Sequence, residues 1–87
     1  MLVWVRLLPP FGEGKTWEEI ALPEGSGLWQ LLERLTETQP QIRSFLRPSL
    51  EETFHQLLVI RNDYVLKEDD HLVPDDRIVI SMPLTGG

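Results

Sequence analysis

The chain has 87 residues, no cysteine and a net charge of −6, from 14 acidic and 8 basic residues. A chain of this length forms one small domain that buries only about 60% of its unfolded surface, which argues against a deep catalytic cleft, and the absence of cysteine excludes disulfides, thiolate metal sites, thiol nucleophiles and thioesters on this chain. The chain has no basic stripe to neutralise phosphates and no apolar run near the ~18 residues of a transmembrane helix, so we expect neither a nucleic acid nor a membrane as a partner.

Two strands are predicted in the first quarter of the chain. Residues 2–8 are rich in β-branched and aromatic side chains, which is typical of a strand. Prolines and glycines exclude a regular element from residues 9–15, and residues 16–22 then form the second predicted strand. We expect the two strands to pair as a hairpin.

The clearest helix of the chain follows Ser26. The Ser26 hydroxyl is predicted to cap the helix by accepting a hydrogen bond from an N–H of the first turn, and Pro40 ends the helix. Leucines recur at the i, i+3, i+4 and i+7 spacing of an amphipathic helix. We interpret this stripe as core rather than as a binding motif, and it consists of Leu28, Leu31, Leu32 and Leu35.

The segment from residue 41 to residue 56 is the least regular part of the sequence. Residues 41–47 predict one or two helical turns, and residues 48–52 have the pattern of a short helix start, with glutamates near its positive end. The apolar side chains predicted to pack under the sheet are Ile42, Phe45, Leu46 and Phe54.

Strand patterns return in the second half of the chain. Residues 56–61 and 64–66 are predicted strands on either side of a turn at 62–63. An acidic loop, residues 67–71, separates them from the last predicted strand, residues 77–82. The order of elements predicts an α+β fold, with a mixed sheet of about four to five strands and one main helix packed across one face.

The sequence divides into a domain, residues 1–82, and a flexible C-terminal tail, residues 83–87, that ends in Gly86-Gly87. Two glycines give a narrow strand of backbone, which suits a carboxylate that must enter another protein's active site. A frayed terminus is the alternative interpretation.

Three other patterns indicate no catalytic or metal site. Carboxylates cluster within residues 68–76, but their spacing matches no EF-hand loop, and a solvated acidic loop is the commoner outcome. His55 and His71 accompany no Ser or Cys nucleophile in a known arrangement. Gly12 and Gly14 precede no Gly-Lys-Ser/Thr sequence, so they form no phosphate-binding loop.

The composition also indicates a type of partner and a cellular compartment. A net charge of −6 suits a basic protein partner, through electrostatic steering and orientation. Simple solubility accounts for the charge equally well. The missing cysteines and the lack of a basic signal-peptide start lead us to expect a cytoplasmic location.

Four features of the chain occur together, in this order, in one known family. They are the strand at 1–7, the Leu-Pro-Glu-Gly turn at 22–25 before the leucine-rich helix, the strand-turn-strand at 58–65, and residues 72–80 followed by the terminal glycine pair. Over essentially all 87 residues they resemble the MoaD/ThiS family of sulfur carriers, and in particular the molybdopterin synthase small subunit. The resemblance implies a β-grasp, ubiquitin-like fold.

The resemblance also implies that the protein is a sulfur carrier and not an enzyme. A partner adenylating enzyme, similar to ubiquitin-activating enzymes, would use ATP to convert the Gly87 carboxylate to an acyl-adenylate and then to a thiocarboxylate. The chain itself would bind no cofactor. The sulfur would serve molybdopterin synthesis for a molybdenum or tungsten cofactor, with the molybdopterin synthase large subunit as a further partner. The tail residues implied to thread the partner's channel are Pro83, Leu84, Thr85 and Gly86.

The chain departs from the family pattern in ways that leave the pathway open. The family's Phe-Pro-Pro-type segment before the glycines is reduced to one proline in residues 81–85, and residues 41–56 make the chain longer than a typical thiazole-pathway carrier. The alternatives are a sulfur carrier for thiamine or another pathway, a ubiquitin-like protein modifier, and a plain interaction module.

The ubiquitin-like pattern further implies a docking surface on the outer face of the sheet, away from the helix. An exposed apolar patch around a tryptophan is typical of such a surface. A face covered by the 9–15 loop, or a merely scattered apolar surface, is the alternative. The residues implied to dock the partner are Trp4, Leu8, Val79 and Met82, with Leu84 of the tail, whereas Val3, Val5, Ile78 and Ile80 would face the helix.

Overall fold

A computed structural model of the chain describes residues 1–83, so the predicted tail lies outside the described residues except for Pro83. Residues 1–83 contain two α-helices, a 3₁₀ helix and five strands. The strands are β1 Leu2–Leu7, β2 Glu18–Ala21, β3 Leu58–Arg61, β4 Tyr64–Val65 and β5 Arg77–Ser81; the helices are α1 Leu28–Thr38, the 3₁₀ helix Pro40–Phe45 and α2 Leu50–Thr53.

The five strands form one mixed sheet in the order β2-β1-β5-β3-β4. Strands β1 and β5 pair in parallel at the centre, and the other neighbours are antiparallel. The prediction of a mixed sheet with an opening hairpin is therefore confirmed. Strand β2 is shorter than the predicted 16–22, because residues before Glu18 belong to the loop that connects it to β1.

The core lies between the sheet and α1. Alternate residues of the two central strands, Val3 and Val5 in β1 and Ile78 and Ile80 in β5, are fully buried. This alternation is the period of a strand with one buried face, and it confirms the predicted inward set. All four leucines of the α1 stripe are also fully buried.

The start of α1 differs from the prediction, because Ser26 is not the cap. The helix begins after Gly27, and the Ser26 hydroxyl donates instead to the carbonyl oxygen of Pro23 at 2.6 Å. The Gln30 side-chain oxygen accepts a hydrogen bond from the Gly27 N–H at 3.0 Å. Because the helix begins one residue later than predicted, Ser26 lies before the cap position, and the Gln30 side chain reaches back to the Gly27 N–H instead.

The irregular segment forms the 3₁₀ helix and α2, as the sequence indicated. Ser49 caps α2 by accepting from the Glu52 N–H at 3.2 Å, and Ile42 is fully buried. The remaining predicted core residues are partly buried against the core. Phe45 also meets Phe11 edge to face, with ring centroids 4.6 Å apart. Phe11 is 1% exposed, so the 9–15 loop contributes to the core in a way that the sequence did not predict.

The β3–β4 hairpin turns at Asn62 and Asp63, which both have positive φ, of 50° and 65°. Paired positive φ values match the right-handed twist of the flanking strands, and Asn and Asp tolerate them. After β4, Leu72 is buried in the core while Val73 is exposed. Within residues 1–83, none of the helices combines the length and the apolar character needed to cross a bilayer.

Candidate docking face

The face of the sheet that points away from α1 is called the outer face here. In the central strands, residues that alternate with the buried ones occupy it, so it is defined by strand register rather than by a cleft. Its strand residues are Leu2, Trp4 and Arg6 of β1, Arg77, Val79 and Ser81 of β5, Leu58 and Ile60 of β3, Val65 of β4 and Glu19 and Ala21 of β2.

The predicted docking residues lie on or beside this face. Trp4 and Val79 are on the two central strands, and each is partly buried rather than fully exposed. Leu8 directly follows β1, where its N–H donates to the Ile80 carbonyl oxygen at 2.9 Å. Met82 directly follows β5 and is 47% exposed. Trp4 and Val79 share the outer face by register, Leu8 and Met82 lie one residue beyond the ends of their strands, and the docking role of all four stays a prediction.

The 9–15 loop covers one end of the outer face. The Arg6 Nε donates to the Gly14 carbonyl oxygen at 2.7 Å, and the Phe11 N–H donates to the Leu8 carbonyl oxygen at 2.9 Å. A Cβ placed on Gly14 would lie 3.0 Å from the Leu8 side chain. The loop therefore covers Leu8, as the alternative interpretation of this face expected. It makes no hydrogen bond to Trp4 or Val79 within residues 1–83.

The apolar part of the outer face is larger than the sequence predicted. Ile60 lies beside Val79 in the sheet register, and Val65 lies beside Ile60. Ile60 is partly buried and Val65 is 46% exposed. The sequence could have indicated the contribution of β3, since Leu58 and Ile60 alternate with the buried Val59. Three neighbouring strands thus share one apolar strip.

A second feature that sequence reasoning missed is an arginine–tryptophan stack. The ring of Trp17, one residue before β2, lies 5.7 Å from the guanidinium carbon of Arg6 and 5.4 Å from that of Arg77. These three residues are distant in sequence, and only the pairing of β2, β1 and β5 brings them together.

A buried ion pair fixes the start of β5. Asp76 is 8% exposed, and its Oδ2 accepts hydrogen bonds from Arg61 Nη1 at 2.9 Å and from the Val73 N–H at 2.8 Å. The Trp4 N–H donates to the Asp76 carbonyl oxygen at 2.8 Å. Asp76 therefore links the strand that leads to the tail with both of its neighbours in the sheet.

Two of the five acidic residues within 68–76 use their carboxylates for such local contacts. Asp70 accepts a hydrogen bond from the Lys67 N–H at 2.7 Å, and Asp76 is engaged as described. In the part of the chain that the structure describes, no three side chains of the metal-binding types come together to hold an ion.

Replacing Asp76 with alanine is expected to lower the free energy of unfolding by about 1–3 kcal/mol, because the change removes the carboxylate partner of the partly buried Arg61 and leaves the Val73 N–H without its acceptor. In the described part of the chain, Arg61 then keeps only its hydrogen bond to the His71 carbonyl oxygen, at 3.2 Å. Urea denaturation followed by circular dichroism measures the effect. Asp69→Ala is the matched control, since Asp69 is exposed and its side chain accepts no hydrogen bond within residues 1–83. Equal stabilities of the two variants would contradict this role of Asp76.

A groove of about 740 Å³ lies away from the outer face, between the end of β2 and α1. Charges of both signs line it, and none of its lining residues is a serine, cysteine or histidine, so it holds no nucleophile with an adjacent base. The Thr36 hydroxyl is already donating to the Glu33 carbonyl oxygen at 2.6 Å. The groove offers no catalytic arrangement. Its lining residues are Ala21, Leu22, Pro23, Gln30, Glu33, Arg34, Thr36, Glu37 and Arg43.

A five-stranded mixed sheet with a parallel central pair and one main helix across it defines the β-grasp, ubiquitin-like fold. Neither a protein-family model nor a curated protein matches the chain. Among solved structures it is similar to the crystal structure of SAMP1 from Haloferax volcanii, with a TM-score of 0.79, 17% sequence identity and full coverage of both chains. At this identity the similarity establishes the fold.

Proposed function

We propose that the protein is a ubiquitin-like sulfur carrier whose terminal Gly87 is adenylated and converted to a thiocarboxylate. The observation that carries the proposal is the position of β5. This strand is paired on both sides at the centre of the sheet, and it ends at Ser81, only six residues before Gly87. A firmly held strand followed by a short segment ending in two glycines is the arrangement needed to present a carboxylate to a partner.

The chemistry assigned to Gly87 explains why a carrier needs an activating enzyme. A carboxylate is a poor electrophile, so its oxygen first attacks the α-phosphorus of ATP, and pyrophosphate leaves. The resulting acyl-adenylate carries AMP as a good leaving group, which a sulfur nucleophile displaces. The partner supplies the ATP site and the catalytic groups, while the carrier supplies the docking face and the tail, in which Pro83, Leu84, Thr85 and Gly86 thread the partner's channel.

ATP–pyrophosphate exchange tests the first step directly. The cognate adenylating enzyme is incubated with ATP, labelled pyrophosphate and the purified carrier, and label is expected to enter ATP only when the carrier is present. Exchange that does not depend on the carrier, or no exchange at all, would refute the proposal.

A single charge on the apolar strip is expected to weaken docking. Val79→Asp places a carboxylate between Arg6 and Ile60 at the centre of the outer face, where a partner must remove it from water. We expect KM for the carrier in the exchange reaction to rise at least about tenfold, with a smaller change in kcat.

Val73→Asp is the matched control for this substitution. Val73 is 53% exposed in the turn before β5, and its replacement makes the same change of residue and charge. Thermal melts establish that both variants are folded. If Val79→Asp and Val73→Asp gave the same KM, the outer face would not be the docking surface.

For the downstream pathway, the family resemblance favours molybdopterin synthesis over the thiamine pathway. In this proposal the thiocarboxylated carrier binds the molybdopterin synthase large subunit and transfers its sulfur there. Mixing the thiocarboxylated carrier with that subunit is expected to give a complex on size-exclusion chromatography. A carrier that elutes unchanged would point to a different sulfur acceptor.

A ubiquitin-like modifier is the second candidate, and the ubiquitin-like fold is the observation that favours it. In that case the activated Gly87 would join a lysine of another protein instead of accepting sulfur. Isopeptide-linked conjugates in cell extract support the modifier, and a plain interaction module would give neither conjugates nor a thiocarboxylate.

A further inference from the structure

The arginine–tryptophan stack holds two positive charges in place on the outer face. The Trp17 ring lies 5.7 Å and 5.4 Å from the guanidinium carbons of Arg6 and Arg77, within the ~6 Å range of a cation–π contact. Arg6 is also tied to the 9–15 loop through its hydrogen bond to Gly14. Both arginines belong to the central strands, so the stack sits beside the apolar strip around Val79.

Most charged residues in the strands of the sheet are positive, which is opposite in sign to the net charge of the protein. Of the 14 acidic residues, only Glu18 and Glu19 lie in a strand, and that strand is β2 at the edge. The charged residues of the other strands are three arginines, of which Arg61 is engaged in the buried ion pair. Within residues 1–83, Arg6 and Arg77 form no ion pair with a carboxylate. With the two arginines counted against Glu19 at the edge, the strand residues of the outer face are net positive on a protein of net charge −6.

We propose that the outer face binds an acidic patch of the adenylating enzyme, which seats a carboxylate against Arg77 and Arg6 and an apolar side chain on Val79. This inference rests on the proposed function, since it specifies the surface of that partner. Arginine and tryptophan often dominate the binding energy of an interface. The stack restricts the Arg77 side chain in advance, which reduces the entropy lost on binding. The basic partner suggested by the net charge is the opposite expectation.

An acidic partner surface and a basic one predict opposite changes in one measured quantity, the KM for the carrier. In the exchange assay at low salt, Arg77→Glu is expected to raise KM for the carrier about tenfold and to change kcat less than about twofold, because like charges then meet across the interface. A partner attracted by the overall negative charge would instead show a lower KM. Arg77→Lys retains the charge but loses the planar guanidinium that stacks on Trp17, so its KM is expected to rise, although by no more than about threefold.

Arg43→Glu is the matched control. Arg43 is exposed in the 3₁₀ helix that packs with α1, its side chain makes no hydrogen bond within residues 1–83, and the substitution changes the net charge equally. Its KM is expected to remain within about twofold of wild type. Arg77→Gln, which removes the charge without reversing it, is expected to raise KM about threefold, so the inference can be decided even if Arg77→Glu does not fold.

The outcomes separate the inference from the proposed function. A KM for Arg77→Glu that equals that of Arg43→Glu, or lies below that of wild type, overturns the acidic partner surface and leaves the sulfur-carrier proposal standing. A wild-type carrier that supports no exchange overturns the proposed function and this inference with it. A raised KM that is specific to the Arg77 charge supports both.

Discussion

Valine at position 86 or 87 is expected to reduce carrier-dependent ATP–pyrophosphate exchange at least about 100-fold. The reacting carboxylate must reach the α-phosphorus of ATP through a channel that accepts backbone and little else, and a misplacement of about 1 Å at a reacting centre costs about this factor. A branched side chain at either glycine obstructs that approach. The effect is expected on activation alone, because both positions follow the last strand of the sheet.

Thr85→Val is the matched control in the same tail. Valine has nearly the volume of threonine but lacks its hydroxyl, so this variant changes a threading residue without adding bulk and is expected to lose less than about tenfold in exchange, far less than either glycine variant. Thermal melts of the three variants are expected to coincide. Exchange at the wild-type rate by Gly87→Val would show that the terminal glycine is not the activated residue.

Leu32→Ala is expected to lower the free energy of unfolding by about 3 kcal/mol. Leu32 is fully buried between α1 and the sheet, and removing its side chain leaves a cavity that the surrounding residues only partly refill. In a domain of this size, such a loss shifts the melting temperature by about 15 °C or more. Chemical denaturation should show a lower midpoint with an unchanged slope, as expected for a folded state that loses packing but not compactness.

Glu33→Ala is the control that distinguishes the loss of packing from a change in helix propensity. Glu33 is the next residue of α1 and is exposed, and its replacement is expected to change stability by no more than about 0.5 kcal/mol. Similar losses in the two variants would contradict the interpretation of the leucine stripe as core.

Local periodicity was sufficient to predict the elements that contain a clear pattern. The leucine spacing of α1 depends on neighbours within one element, so the sequence alone specifies it. Both faces of β1 are partly apolar, so the inward placement of Val5 and Ile78 came from the resemblance to the ubiquitin-like pattern. The predicted fold follows from the order of the elements. Ser26 was misassigned because the helix begins one residue later, with Gly27 as its cap, and the leucine spacing does not decide between neighbouring start positions.

The missed features depend on contacts between distant segments. Phe11 lies in a stretch whose prolines and glycines predict only a turn. It is nevertheless buried against Phe45, which follows it by 34 positions. The stack of Trp17 with Arg6 and Arg77 requires the register of three strands. Residues of this kind determine the chemistry of the outer face, whereas the location of that face was predicted from the resemblance to the ubiquitin-like pattern.

The intact mass of the full chain provides the most direct test of the central claim that Gly87 accepts sulfur. The carrier is incubated with the adenylating enzyme, ATP and a sulfur donor, and then analysed by mass spectrometry with fragmentation of the C-terminal peptide. The predicted result is the replacement of one oxygen by one sulfur at Gly87, dependent on ATP. An unchanged mass, or Gly87 found only in an isopeptide bond to a lysine, would contradict the assignment as a sulfur carrier.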